Sequence, residues 1–151
     1  MPNDRLAAAA DQPGTERAPM RVFSPAARGH LAIEVRERDG CVRVFGAGLW
    51  SPDEAQAHFR ALEQTILKLR RERAPVRVLV NLREAAVQTA QTADLMRTWT
   101  ARIYRAADRV AVVCATTLLA LQIRHVANVP NLATFQDVFL AEKWIGEPDP
   151  A

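Results

Sequence analysis

Val76-Arg77-Val78-Leu79-Val80-Asn81-Leu82 decides the fold of this chain. Val76, Val78, Val80 and Leu82 share one side, and Leu79 shares the other with Arg77 and Asn81. A period of two marks a strand, and the mixed second side predicts a face that is only partly covered. The polar, alanine-rich residues 83–91 then read as a loop, and a helix begins near Thr92. In parallel α/β folds, sites gather at the carboxyl ends of the strands. The segment after Leu82 is therefore the first place to look for function.

Upstream, Leu31, Ile33 and Val35 alternate with Ala32, Glu34 and Arg36, the pattern of a strand with one buried face. Asp39-Gly40 is a tight-turn signal. A second strand follows from Cys41 to Phe45, antiparallel to the first and ended by Gly46 and Gly48. Ser51-Pro52-Asp53-Glu54 is a helix start, with Ser51 as cap, Pro52 at the first helical position and Glu54 completing a capping box. Ala55, Phe59, Leu62, Ile66 and Leu69 then recur at spacings that build one apolar stripe on a long amphipathic helix. The run Arg70-Arg71-Glu72-Arg73 at its end offsets the helix dipole, an effect of roughly 0.3–1 kcal/mol. The second strand, this helix and residues 76–82 form a β-α-β unit, so the two strands are parallel with a right-handed crossover.

Downstream, Thr89 or Thr92 caps the next helix. Leu95, Trp99 and Ile103 mark its inner stripe, with Met96 and Tyr104 at the margins. After Asp108, Arg109 to Cys114 is an almost unbroken apolar run, fit for a central strand buried on both faces. Thr116 or Thr117 opens a shorter helix carrying Leu118, Leu119, Leu121, Ile123 and Val126. Leu132 to Phe135 is a weak edge strand, and Asp137 caps a last helix with Val138, Leu140, Ala141 and Trp144 facing in. The order β-β-α-β-α-β-α-β-α predicts an α/β domain over residues 29–146. Its mixed sheet has about five strands, the first antiparallel and the rest parallel, with about four helices. Residues 1–28, interrupted by Pro2, Pro13, Pro19 and Pro25, read as a mostly disordered tail, and 147–151 as a short C-terminal one.

A chain of 151 residues can bury a core without a metal or a disulfide. The net charge of +3 comes almost wholly from arginine, since Lys68 and Lys143 are the only lysines. These arginines are interleaved with acids rather than gathered in a stripe, which argues against nucleic acid as a partner. Cys41 and Cys114 lie in apolar strand patterns without metal-ligand spacing, as expected of buried thiols in a reduced, cytoplasmic compartment. No apolar run is long enough for a transmembrane helix. Nucleotide-loop, nucleophile-elbow and paired-cysteine motifs are absent. His30, His58 and His125 fall on different elements, and Glu84 and Asp94 read as solvated acids. The sequence thus predicts no catalytic residues, no metal site and no cofactor. Met96, Trp99 and Tyr104, with Leu118 and Leu119, exceed what one helical stripe needs, which suits core packing, a pocket or a dimer contact.

The element order, carried by Val78-Leu79-Val80-Asn81-Leu82, Arg109-Val110-Ala111-Val112-Val113 and Phe135-Gln136-Asp137, resembles the SpoIIAA-like or STAS-like families. These include bacterial proteins described as STAS/SEC14-like. The opening hairpin and Leu49-Trp50-Ser51-Pro52-Asp53-Glu54 are similar too. The resemblance implies a non-enzymatic regulatory domain that binds a protein partner or a second copy of itself. Its SEC14-like side implies the alternative, a carrier or sensor of a lipid-like small apolar ligand. Regulatory members carry an Asp-Ser-Ser-Gly-like segment after the third strand, with a phosphorylated serine that controls binding to a partner kinase. Here Asn81 stands at the strand end, and Thr89 and Thr92 flank Ala90-Gln91. The candidate binding residues are Asn81, Thr89, Thr92, Met96, Trp99 and Tyr104, with Thr89 and Thr92 as phosphorylation candidates.

Overall fold

Every residue of Arg109–Cys114 is buried, as continuous apolarity requires of a strand enclosed from both sides. The computed structural model describes residues 29–36 and 40–148, and sets this strand, β4, in a five-stranded sheet. The other strands are β1 (His30–Arg36), β2 (Cys41–Gly48), β3 (Arg77–Ala85) and β5 (Leu132–Phe135). The helices are α1 (Pro52–Glu72), α2 (Ala90–Ile103), α3 (Thr117–Val126) and α4 (Val138–Gly146). The sheet order is β1-β2-β3-β4-β5, with β1 antiparallel to β2 and every other pair parallel. The expected mixed sheet and four helices are therefore present. The expected tail at 1–28 and Asp39 of the turn signal lie outside the described residues, as do 149–151.

Because spatial order follows chain order, successive right-handed crossovers bring α1, α2 and α3 to one face. There they bury Val42, Val44, Val78, Leu82, Val110, Val112 and Cys114 against Leu62, Ile66, Met96, Trp99, Leu119 and Ile123. Among the described residues the opposite face has only α4, whose Ala141 and Ile145 pack on Leu79, Ala111 and Val113. The second face is thus covered over its β3–β4 part, while Ala32, Phe45 and Asn81 stay partly exposed.

Local chemistry accounts for the ends of the helices. Ser51 and Glu54 form the reciprocal capping box, and Thr116 and Asp137 cap α3 and α4. Several expectations are corrected. Gly46 does not end β2, which runs through it and ends at Gly48. β3 continues past Leu82 to Ala85, pairing Glu84 with Ala47 and Ala85 with Gly48 after a register shift. Arg83 N–H donates to Asn81 Oδ1 at 3.1 Å beside that shift. Leu140, expected to face in, is exposed, while Ile145 takes the inner place on α4. Arg70 stands in the last turn of α1 as expected, but its side chain is also buried in an ion pair with Asp108.

Candidate functional site

Trp50 follows β2 and precedes the cap of α1, and its buried ring fills the carboxyl end of the first sheet face. Its backbone reaches the segment after β3. Trp50 N–H donates to Gln88 Oε1 at 2.9 Å, and Trp50 C=O accepts from Thr92 Oγ1 at 3.0 Å. Gln88 is buried and ties the connection down. Its Nε2 donates to Gly48 O at 3.0 Å and to Ala86 O at 2.6 Å. Its own amide donates to Gln122 Oε1 at 2.8 Å, and Gln122 Nε2 returns a bond to Gln88 O at 2.9 Å. The expected loop at 83–91 is therefore shorter than its sequence suggests. Residues 83–85 belong to β3 and 90–91 to α2, and the remainder is braced through Gln88.

Thr89 caps α2, its Oγ1 accepting from Thr92 N–H at 3.3 Å, and Thr89 is exposed. Thr92 is fully buried with its hydroxyl committed to Trp50. Of the two candidate phosphoacceptors, only Thr89 is open to an enzyme in the folded protein. Asn81 lies on the α4 side of the sheet, away from Met96, Trp99 and Tyr104 on the other face. The candidate residues thus separate into three groups instead of forming one site.

Met96, Trp99 and Tyr104 do not form an exposed margin, since all three are buried. Trp99 joins α2 to α1, stacking on Phe59 at 6.2 Å between centroids and donating Nε1–H to Gln56 Oε1 at 3.0 Å. Burial, followed by the Asp108 charge, pushes the Tyr104 hydroxyl well above its ordinary range. Met96 and Tyr104, with Trp50, His58, Leu82 and Ile123, line an apolar cavity of about 70 Å³ between the helices and the sheet. Burial holds the His58 imidazole down at about 4, so it is neutral there. Burial likewise pushes the Cys114 thiol up to about 11, which keeps it protonated and a poor nucleophile.

Outside this core, Leu118 and Leu121 project from α3 with 64% and 52% exposure. Leu118, Leu121 and Gln122 share one side of the helix by their three- and four-residue spacing. The Gln88–Gln122 pair therefore sets this side next to Val87, which is also exposed. Leu49 precedes Trp50 at the neighbouring strand end and is 41% exposed. A ridge of apolar side chains thus crowns the carboxyl ends of β2 and β3, with Thr89 beside it. Reading from sequence missed Trp50 and Gln88, the residues that hold this end together. Trp50 carried a usable signal, because it precedes a capping serine with Ala55 four helical positions on, where a hydrophobic staple forms. Gln88 carried none, since its role depends on partners 34 to 40 residues away.

Among the described residues, no group of three or more His, Cys, Asp or Glu side chains could hold a metal ion, and no helix is long and apolar enough to cross a membrane. No protein-family model and no curated protein matches the chain.

Proposed function

We propose that this chain is a SpoIIAA/STAS-like domain that acts by binding another protein, without catalysis, through the ridge at the strand carboxyl ends. The observation that carries the reading is the outward pair Leu118 and Leu121, set beside Val87 on a connection braced by the Gln88–Gln122 bonds. Apolar side chains held out on a rigid support lose little conformational entropy on docking. The mixed sheet with its antiparallel first strand supports the family reading, and Thr89 is its candidate regulatory position. Phosphate on Thr89 would stand at the α2 amino end, where negative charge is favoured, and would add charge beside the apolar ridge.

The test is Leu118→Ser with Leu121→Ser, read by affinity capture of the tagged full chain from its source cell and by light scattering. Both positions are exposed, so each substitution changes folding stability by no more than about 0.5 kcal/mol. The double variant is expected to lose the captured partner, or the self-association if the partner is a second copy. Full retention of both behaviours removes the ridge as the binding surface.

The reading as a carrier of a small apolar ligand has the cavity under the helices in its favour. Its volume of about 70 Å³ is the difficulty. An apolar cavity of roughly 150 Å³ is what admits benzene. A lipid-like ligand would have to part α1 from α2, where Trp99 bonds to Gln56 and stacks on Phe59. Native mass spectrometry of the source protein decides between the two, since a co-purifying apolar ligand would favour the carrier.

A further inference from the structure

The arginines are scattered along the sequence, but the fold gathers four of them at the opposite end of the sheet. β1 runs antiparallel to β2, so Arg36 at its end lies beside the starts of β2 and β3. Arg43 and Arg77 project from those two strands towards α4, and Arg73 caps α1 at the same end. Together they line an open groove of about 700 Å³ whose floor includes Cys41 and Pro75. That size is in the range of small-molecule sites, roughly 300–1,000 Å³.

The local charge balance is one-sided. Glu142 is the single carboxylate among the described lining residues, and Arg43 Nη2 already donates to it at 2.8 Å. Arg43 Nε is enclosed and has no hydrogen-bond partner, a costly state for a charged donor. Arg77 is anchored by donating Nη1–H to the carbonyls of Ile145 and Glu147. Among the described residues, the side chains of Arg36 and Arg73 have no hydrogen-bond or ion-pair partner. Gly40 sets the place of Arg73. It has φ +65, and a Cβ there would stand 2.1 Å from Arg73 Cδ, so the bare turn leaves room for the arginine stem.

We propose that this groove binds a compact multivalent anion of the phosphate class, held by Arg36, Arg43, Arg73 and Arg77. Guanidinium forks match phosphate oxygens in charge and geometry. Like charges gathered around one concavity favour the entry of an anion. Glu142 repels the anion from the α4 side and sets its seat towards Arg36 and Arg73. This site is independent of the apolar ridge, which lies at the other ends of the strands.

The experiment is isothermal titration of the full chain at constant ionic strength with inorganic pyrophosphate, glycerol 2-phosphate and sulfate. Saturable binding of pyrophosphate or glycerol 2-phosphate is expected, and the tighter of the two tells polyphosphate from phosphomonoester. Affinity should fall about tenfold or more in Arg36→Gln/Arg73→Gln and stay level in Arg60→Gln/Arg105→Gln, a control at exposed arginines outside the groove. Glu37 and Asp39 adjoin the groove in sequence, so Glu37→Gln/Asp39→Asn should keep or strengthen binding. No saturable binding by the wild type overturns the proposal. So does equal binding by the Arg36/Arg73 variant, equal affinity for sulfate, or loss of binding in the Glu37/Asp39 variant.

Discussion

His58 is a residue whose setting sets a pH dependence. It lies beside Phe59 at the edge of the apolar cavity, and burial lowers its pKa from 6.5 to about 4. In the unfolded chain it takes a proton near pH 6.5, whereas in the folded protein it resists until about pH 4. A depressed folded pKa means the unfolded state binds more protons between these values, so stability falls as pH falls through that window. Between pH 7 and pH 5 the His58 contribution to that loss is about 2 kcal/mol. Urea unfolding at the two pH values should show it in the wild type and a smaller loss in His58→Gln. An equal loss in both would remove His58 as the source. The sequence places His58 next to Phe59 of the α1 stripe. Its lowered pKa was not legible there, because that depends on the walls brought to it by β1, α2 and α3.

At the scale of elements, β2 shows how a sequence signal is reused. Gly46 and Gly48 look like strand terminators, yet β2 continues through Gly46 and ends only at Gly48. Gly46 is buried against Trp50, and a Cβ there would stand 2.7 Å from Trp50 Cζ2 and 2.8 Å from Leu82 Cδ2. The glycine therefore belongs to a close approach of strand and ring, not to a strand end. Gly46→Ala forces the indole or Leu82 to move, with an expected cost of about 1–3 kcal/mol. Denaturant midpoints would measure it, and Trp50→Phe, which frees space at the ring, should recover part of the loss in the double variant. α3 shows the complementary case. It carries more leucines than one stripe needs; Leu119, Ile123 and Val126 are buried, and Leu118 and Leu121 face out. A helix on a sheet can bury one stripe, so the excess must go elsewhere.

For the whole molecule, Asp108 is the tie between layers. Its carboxylate accepts from Arg70 at the end of α1, from Val76 N–H at 2.9 Å before β3, and from Arg105 N–H at 2.8 Å after α2. Both Arg70 and Asp108 are more than nine-tenths buried, so water cannot replace a lost partner. Asp108→Ala should destabilise the protein by about 3–5 kcal/mol, chiefly by leaving the Arg70 charge buried and unpaired. Asp108→Ala combined with Arg70→Met should recover much of that loss in thermal unfolding. A fully additive double variant would mean that the ion pair is not the tie.

Sequence by itself determined the order of elements, the parallel core and the helix caps. These rest on local physics: a period of two at 76–82, the unbroken apolar run at 109–114, and side-chain oxygens at Ser51, Thr116 and Asp137 that satisfy nearby amides. Tertiary structure decided which apolar residues are surplus, which threonine is accessible, and which charges meet. Leu118 is exposed and Met96 buried because of the neighbours that three crossovers supply, not because of spacing within their own helices. Gln88 and Gln122, and the arginines at 36, 43, 73 and 77, come together only when strands far apart in sequence are laid side by side. Both candidate surfaces are made of such meetings, which is why the scaffold could be read from the chain and its sites could not.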